Sequence, residues 1–197
     1  MKWAPDNGFF LLDRHLNRLA RSASHFDYAY QTETIQRALE RAVASAVTPL
    51  RIRLRLAHDG TARIECTPLE PVLTPARLAL ALAAIDPTDV FLYHKTTHRT
   101  TYERARRAEF DDVILWNPAS EVTESTVANV VAEIDGRRVT PPVSCGLLAG
   151  TFREQLLDDG VVEEAVITTD ELRTATRVWL VNSVREWWPA VFVAELV

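Results

Sequence analysis

The stretch Val122–Arg153, VTESTVANVVAEIDGRRVTPPVSCGLLAGTFR, combines two hydrophobic patterns in one short segment. Apolar, strand-like runs flank Asp135-Gly136, which is a typical two-residue hairpin turn. Two prolines follow, and AGTFREQLLDD then predicts a helix with Gly150 and Thr151 at its start. A hairpin that leads into a helix indicates a mixed α+β fold.

The rest of the chain continues this mixture. Helices are predicted over residues 13–26, 32–47, 101–108 and 170–175, with Asp13 as the cap of the first. Strands are predicted over residues 8–12, 77–84, 89–95, 112–117, 161–168, 177–184 and 190–197. Residues 50–69 alternate Leu or Ile with Arg around Asp59-Gly60, which predicts a second hairpin. The proline positions favour two domains, a small α/β lobe over residues 1–87 and a β-rich lobe over residues 88–197.

Composition and charge argue against several classes of protein. The net charge of −5 disfavours nucleic-acid or anionic-membrane partners, which reward positive charge. No apolar run approaches the ~18 residues of a membrane helix, and the N-terminus lacks the apolar segment of a signal peptide. Cys66 and Cys145 lie far apart, outside any CxxC pattern, and are expected to be reduced thiols. A cytoplasmic location is the expectation.

The familiar phosphate, dinucleotide and metal motifs are absent from the sequence. His94 and His98 have a spacing that can hold zinc on a helix. Because His94 follows the apolar run VFLY, which predicts a strand, the two rings need not share a face. We therefore predict no metal site.

Arg51, Arg53 and Arg55 alternate along one predicted strand, so we expect them to share one face of it. Such a stripe can receive the carboxylates of a ligand, or it can contact a partner subunit. A solvated face of the sheet is the alternative that involves no ligand.

Lys95, in VFLYHKTTHR (residues 90–99), is one of two lysines among 22 basic residues. An arginine here would keep the charge, but a guanidinium stays protonated and cannot condense with a carbonyl. A lysine amine can lose its proton when buried and form a Schiff base. The retention of a lysine in this arginine-rich chain favours covalent chemistry at Lys95, and a lysine present by chance is the alternative.

A Schiff-base lysine implies pyridoxal 5′-phosphate, which needs an acid at its pyridine nitrogen and an anion site for its phosphate. Glu124 lies between a strand and a polar turn and is the candidate acid. Gly150 and Thr151 lie at the predicted helix start, where backbone N–H groups and the helix dipole attract a phosphate.

Four blocks, in this order, carry a likeness to a known family: DRHLNRLARSA, HKTTHR, the stretch Val122–Arg153 and NSVREWWP. With them the sequence resembles the fold-type IV (class IV) pyridoxal phosphate enzymes. These include 4-amino-4-deoxychorismate lyases, branched-chain aminotransferases and D-amino acid aminotransferases. The resemblance implies a two-lobed, D-amino acid aminotransferase-like α+β architecture. Because the chain begins almost directly at the first block, it also implies a shortened N-terminal lobe.

The resemblance implies a role for each matching residue. Lys95 matches the lysine that forms the Schiff base and moves protons, and Glu124 matches the glutamate that pairs with the pyridine nitrogen. Four residues match groups that bind the cofactor phosphate: Arg18, Gly150, Thr151 and Ser183. Asn129 matches a position with a more structural role.

HKTTHR and LLAGTFR resemble most the lyase domain fused to aminodeoxychorismate synthases. The implied activity converts 4-amino-4-deoxychorismate to 4-aminobenzoate and pyruvate through a Lys95 Schiff base, and Arg51, Arg53 or Arg55 would receive substrate carboxylates. Phe152, where transaminases often have a hydroxyl residue, favours the lyase. The alternatives are a branched-chain or D-amino acid aminotransferase, and a non-catalytic binding or interaction module that retains the fold. The resemblance further implies a homodimer that acts on a small amino substrate.

Overall fold

The computed structural model describes residues 1–71 and 74–193. The chain forms two compact units, Met1–Pro71 and Val72–Val197. This division lies earlier than the predicted one between residues 87 and 88. The strand Ala76–Leu80 explains the difference, because it hydrogen-bonds to two strands of the second unit.

The first unit is a four-stranded antiparallel sheet with two helices. Its strands are β1 (Lys2–Ala4), β2 (Gly8–Phe9), β3 (Leu50–Leu56) and β4 (Ala62–Pro68), in the order β2-β1-β3-β4. The helices are α1 (Leu12–His25) and α2 (Thr32–Val43). β3 and β4 form the predicted hairpin, and Gly60 in its turn has a φ of 85°, which suits glycine. The buried core of the unit consists of Leu16, Ile35, Leu39, Val43 and Ile52.

Both helices of the first unit differ from the prediction at one end. α1 has Leu11 as its N-cap, and the predicted capping by Asp13 is wrong. Asp13 lies in the first turn instead, where its charge interacts favourably with the helix dipole. α2 ends at Val43 rather than at Val47, because the N–H groups of Ala44 and Ala46 bond to carbonyls three residues back.

The second unit is built on an eight-stranded mixed sheet. Its strands are β5 (Ala76–Leu80), β6 (Asp112–Trp116), β7 (Val122–Ser125), β8 (Asn129–Ile134), β9 (Arg137–Thr140), β10 (Glu163–Glu164), β11 (Arg177–Asn182) and β12 (Glu186–Phe192). Their order is β10-β9-β8-β11-β12-β5-β6-β7, and β7 also pairs with β8, which closes part of the sheet into a ring. The helices are α3 (Thr100–Ala105), α4 (Thr151–Asp158) and α5 (Thr169–Thr174). The hairpin β8–β9 turns at Asp135-Gly136, as predicted.

Residues 89–95 do not form the predicted strand. The side chain of Asp89 accepts a hydrogen bond from the N–H of Phe91 and begins a 3₁₀ turn over Val90–Leu92. The apolar run buries Leu92 in this turn rather than in a sheet. Lys95 therefore lies in a loop, and this loop ends where α3 begins.

Other predicted strands differ mainly in length. The strand predicted over residues 161–168 is reduced to β10, since the N–H groups of Val161 and Val162 bond back to the Leu156 carbonyl of α4. β5 ends at Leu80, and β12 begins at Glu186, before the predicted start. Residues 194–197, which the prediction placed in the last strand, lie outside the described residues. Within the described part of the chain, no helix is long and apolar enough to cross a membrane.

Candidate active site

Lys95 lies in the loop between the 3₁₀ turn and α3. The start of this loop is fixed by Tyr93, whose hydroxyl donates a hydrogen bond of 2.6 Å to the Pro87 carbonyl. Within the loop, the Thr96 hydroxyl accepts a hydrogen bond from the His98 N–H at 3.1 Å. The loop conformation is thus set by local hydrogen bonds and not by a sheet.

Arg99 and Tyr102 fix the far end of the same loop. The guanidinium of Arg99 donates a hydrogen bond to the carbonyl of Thr126, which directly follows β7. It also lies over the ring of Tyr102, at 4.4 Å from Cζ to the ring centroid. These contacts hold the loop that carries Lys95 against the end of β7.

Glu124 is a buried carboxylate with three hydrogen-bond donors. It lies on β7 with 4% of its surface exposed. Its Oε1 accepts hydrogen bonds from the Tyr102 hydroxyl at 2.7 Å and from the Leu148 N–H at 3.0 Å. Its Oε2 accepts one longer hydrogen bond, of 3.3 Å, from Nδ2 of Asn129. Oε2 therefore retains the capacity to accept a further donor.

The burial of Glu124 raises its pKa from 4.5 to about 7. The Leu148 N–H, the Tyr102 hydroxyl and the positive charges of Lys95 and Arg99 act in the opposite direction and lower it. The amine of Lys95 is thus close enough for its charge to act on this carboxylate. Burial and the negative charge of Glu124 raise the pKa of Tyr102, so its phenol stays protonated and can donate.

Asn129 connects Glu124 to the start of α4. Its Nδ2 donates to the Leu148 carbonyl at 2.9 Å as well as to Glu124. Gly150, the N-cap of α4, packs so tightly against it that an added Cβ would lie 1.9 Å from Oδ1 of Asn129. Only glycine fits this contact without a shift of Asn129.

The two remaining residues of the second unit that are predicted to contact the phosphate lie at the start of α4 and in the turn between β11 and β12. Thr151 is the first residue of α4 and is buried, so its N–H belongs to the helix start. Ser183 is buried in the turn between β11 and β12. Asn182, its neighbour, donates to the Val127 carbonyl at 3.4 Å, which links this turn to the turn after β7.

Four predicted residues lie in the first unit. Arg18 is buried on α1. Arg51, Arg53 and Arg55 are exposed on one face of β3, as the alternation predicted. Arg53 and Arg55 both pair with Glu65 on β4, which partly neutralises the stripe. The roles of these four residues stay predictions.

Tyr102 and Arg99 are the site residues that the sequence reasoning missed. Tyr102 lies on α3, seven residues after Lys95, and the helix directs its hydroxyl to Glu124. Its one signal in the sequence is a lone tyrosine in the polar run TTYERARR, and this pattern does not identify its partner.

Neither the cysteines nor the histidines form a second site. Cys66 is an exposed free thiol, and Cys145 is a buried one whose pKa burial raises to about 12. His98 stacks on Phe91, with ring centroids 4.1 Å apart. Residues 1–71 and 74–193 contain no group of three or more His, Cys, Asp or Glu side chains that could hold a metal ion.

The sequence matches the amino-transferase class IV family over residues 1–192. The chain belongs to this family. The family resemblance inferred from the four sequence blocks is therefore confirmed. Enzymes of class IV depend on pyridoxal 5′-phosphate.

Individual relatives carry two kinds of name within class IV. A curated protein of Schizosaccharomyces pombe, named "putative aminodeoxychorismate lyase", is 30% identical over 203 residues, which cover 96% of this chain and 87% of the relative. A solved structure from Mesorhizobium loti, named "putative amino-acid aminotransferase", is 37% identical with a TM-score of 0.91, and the match covers 98% of this chain and 97% of that one. The 4-amino-4-deoxychorismate lyase of Pseudomonas aeruginosa is 22% identical and shares the fold, with a TM-score of 0.75 over 99% of this chain and 82% of that one. These matches confirm the predicted α+β, fold-type IV architecture.

The described residues of the second unit fit the class IV cofactor. Glu124 offers a buried carboxylate oxygen with spare acceptor capacity to a ring N–H. Gly150 and Thr151 lie at the start of α4, where the backbone N–H groups and the helix dipole suit a phosphate. Lys95 supplies an amine whose charge already acts on Glu124.

Proposed function

We propose that this protein is a pyridoxal phosphate-dependent lyase that converts 4-amino-4-deoxychorismate to 4-aminobenzoate and pyruvate, with Lys95 as the residue that binds the cofactor covalently. The observation that carries the proposal is the buried carboxylate of Glu124, which receives three hydrogen-bond donors and the electrostatic influence of Lys95. The names of the S. pombe and P. aeruginosa relatives support the choice of substrate.

Bound pyridoxal phosphate supplies an electron-accepting ring, which stabilises negative charge on a substrate carbon next to the bound amine. Glu124 would hold a proton on the ring nitrogen by accepting a hydrogen bond from that N–H. An ionised carboxylate at this place favours the protonated ring, which is the better electron acceptor.

Lys95 moves the protons of the reaction. With cofactor and substrate bound, its Nζ would take a proton from the substrate carbon that bears the nitrogen. Loss of this proton and cleavage of the bond to the enolpyruvyl oxygen would make the six-membered ring aromatic. The same Nζ would return the proton to the methylene carbon of the enolpyruvate, which would leave as pyruvate.

In this proposal the cofactor phosphate is held by residues at the start of α4 and in the turn between β11 and β12. The N–H groups at the start of α4 donate to the phosphate oxygens, and the positive end of the helix dipole adds to the attraction. Ser183 contributes a hydroxyl, and a charge from Arg18 stays an expectation from the family resemblance. A homodimer in the cytoplasm is the assembly and location that we propose with this activity.

An amino-acid aminotransferase is the second candidate, and the name of the M. loti structure, at 37% identity over nearly both chains, favours it. The two activities differ in a half-reaction. A transaminase converts its cofactor to the amine form when an amino acid is added, and a keto acid reverses this change.

The test loads the purified protein with pyridoxal phosphate and incubates it with 4-amino-4-deoxychorismate, or with a panel of L- and D-amino acids. The lyase proposal expects 4-aminobenzoate and pyruvate in equal amounts, with no lasting spectral change on addition of amino acids. A stable cofactor conversion that a keto acid reverses, without 4-aminobenzoate, would replace the lyase with the transaminase. Absence of both reactions would leave the non-catalytic alternative.

A further inference from the structure

Arg99 and Tyr102 connect the Lys95 loop to the strand that carries Glu124. The guanidinium of Arg99 donates to the Thr126 carbonyl, and the hydroxyl of Tyr102 donates to Oε1 of Glu124 at 2.7 Å. Both residues follow Lys95 closely in the chain. The two contacts therefore fix the end of the loop and the carboxylate relative to each other.

The Tyr102–Glu124 contact is made in a buried environment, where hydrogen bonds to an anion are strong. Tyr102 is 6% exposed and Glu124 4% exposed. The charged and titratable groups that act on the carboxylate are Lys95, Arg99 and Tyr102 itself. The other donors to it, the Leu148 N–H and the Asn129 amide, are neutral.

The donors are distributed unequally between the two oxygens of Glu124. Oε1 accepts hydrogen bonds of 2.7 and 3.0 Å from Tyr102 and Leu148. Oε2 accepts one hydrogen bond, of 3.3 Å, from Nδ2 of Asn129. The same Nδ2 also donates to the Leu148 carbonyl. Tyr102 thus occupies one oxygen and leaves the other as the better acceptor for a new donor.

We propose that Tyr102 is a positioning residue, whose hydroxyl holds Oε1 of Glu124, stabilises the carboxylate anion and leaves Oε2 for the ring N–H of the cofactor. Arg99 assists by packing over the Tyr102 ring. This inference rests on the proposed function, because it assigns Tyr102 a task in cofactor binding.

The first experiment measures Glu124 in the protein without cofactor. Carboxyl-carbon NMR of protein labelled with ¹³C at the glutamate side chains gives the titration midpoint, and the signal is assigned by its loss in Glu124→Gln. In Tyr102→Phe we expect the midpoint to rise by about one pH unit, a tenfold gain in proton affinity, because a hydrogen bond to the anion is lost. Tyr28→Phe is the control, since Tyr28 is an exposed tyrosine of the first unit that packs against His58 and lies outside the Lys95 loop.

The second experiment uses pyridoxal phosphate labelled with ¹⁵N in its ring. In the wild type we expect the chemical shift of a protonated ring nitrogen. In Tyr102→Phe we expect a displacement toward the unprotonated value and at least a tenfold weaker affinity for the cofactor, while Tyr28→Phe behaves as the wild type. If Tyr102→Phe does not fold, Arg99→Lys serves as the second variant. It keeps the positive charge but loses the planar group that packs over the Tyr102 ring, and it is expected to shift both readouts in the same direction.

The outcomes separate this inference from the function on which it rests. If the wild type loads the cofactor covalently but Tyr102→Phe leaves the Glu124 midpoint and the nitrogen shift unchanged, the positioning role is wrong and the proposed function stands. If the wild type does not load the cofactor, the proposed function fails and the role of Tyr102 in cofactor binding fails with it.

Discussion

The raised pKa of Glu124 predicts a specific pH dependence of the stability of the cofactor-free protein. In an unfolded chain this carboxyl loses its proton near 4.5, and in the folded chain near 7. Between these values the folded state holds more protons than the unfolded state, so the free energy of unfolding falls as the pH rises. The difference corresponds to about 3 kcal/mol, at about 1.4 kcal/mol for each pH unit.

Glu124→Gln is the perturbation that isolates this contribution. We expect the wild type to lose about 3 kcal/mol relative to the variant between pH 4.5 and pH 8, since an amide does not titrate. The measurement is the free energy of unfolding in urea at a series of pH values. Glu103→Gln, an exposed change on α3, is the control and is expected to follow the wild type.

The refuting result is a constant difference between the wild type and Glu124→Gln across this pH range. Such a result would mean that the folded and unfolded states bind the Glu124 proton equally well. The contacts with Tyr102, Leu148 and Asn129 would then compensate fully for the burial of the carboxylate. If the free energy of unfolding falls with pH equally in the wild type, Glu124→Gln and Glu103→Gln, the dependence comes from other groups.

Three further substitutions test the second unit by urea unfolding of the cofactor-free protein. Gly150→Ala forces a shift of Asn129 and its buried hydrogen bonds, so we expect a loss of about 1–3 kcal/mol; an unchanged stability would contradict the close contact. Thr168→Ala removes the N-cap of α5 and should cost about 1 kcal/mol. A variant as stable as the wild type would show that the capping box does not contribute to stability. Glu164→Gln leaves the buried Arg153 without its ionic partner and should cost about 1–3 kcal/mol. If high salt destabilises the wild type by the same amount as the substitution does, the pair is a surface interaction.

The sequence was sufficient for the elements whose pattern is local. The hairpins at Asp59-Gly60 and Asp135-Gly136, and the helix that begins after Gly150, follow from turn residues and hydrophobic period alone. The run VFLY was misread as a strand because a short apolar segment looks alike in a strand and in a buried turn. The cap at Asp89, which decides between the two, is a single side-chain contact.

The candidate site was predicted in part for a similar reason. Lys95 and Glu124 were identified from residue chemistry and from the family resemblance. Tyr102 was missed because its significance lies in a contact between α3 and β7, which are distant in sequence. The compact units divide after Pro71, and not after residue 87, because β5 pairs with β6 and β12, which is also a long-range property.

The most direct test of the account is the visible absorption spectrum of the protein after addition of pyridoxal phosphate, before and after borohydride. We expect a band that borohydride removes, followed by a mass increase on the peptide that contains Lys95. Lys95→Arg keeps the positive charge and should show neither. A wild-type protein that stays colourless with added cofactor, or a band of equal strength in Lys95→Arg, would contradict the central claim that Lys95 binds the cofactor covalently.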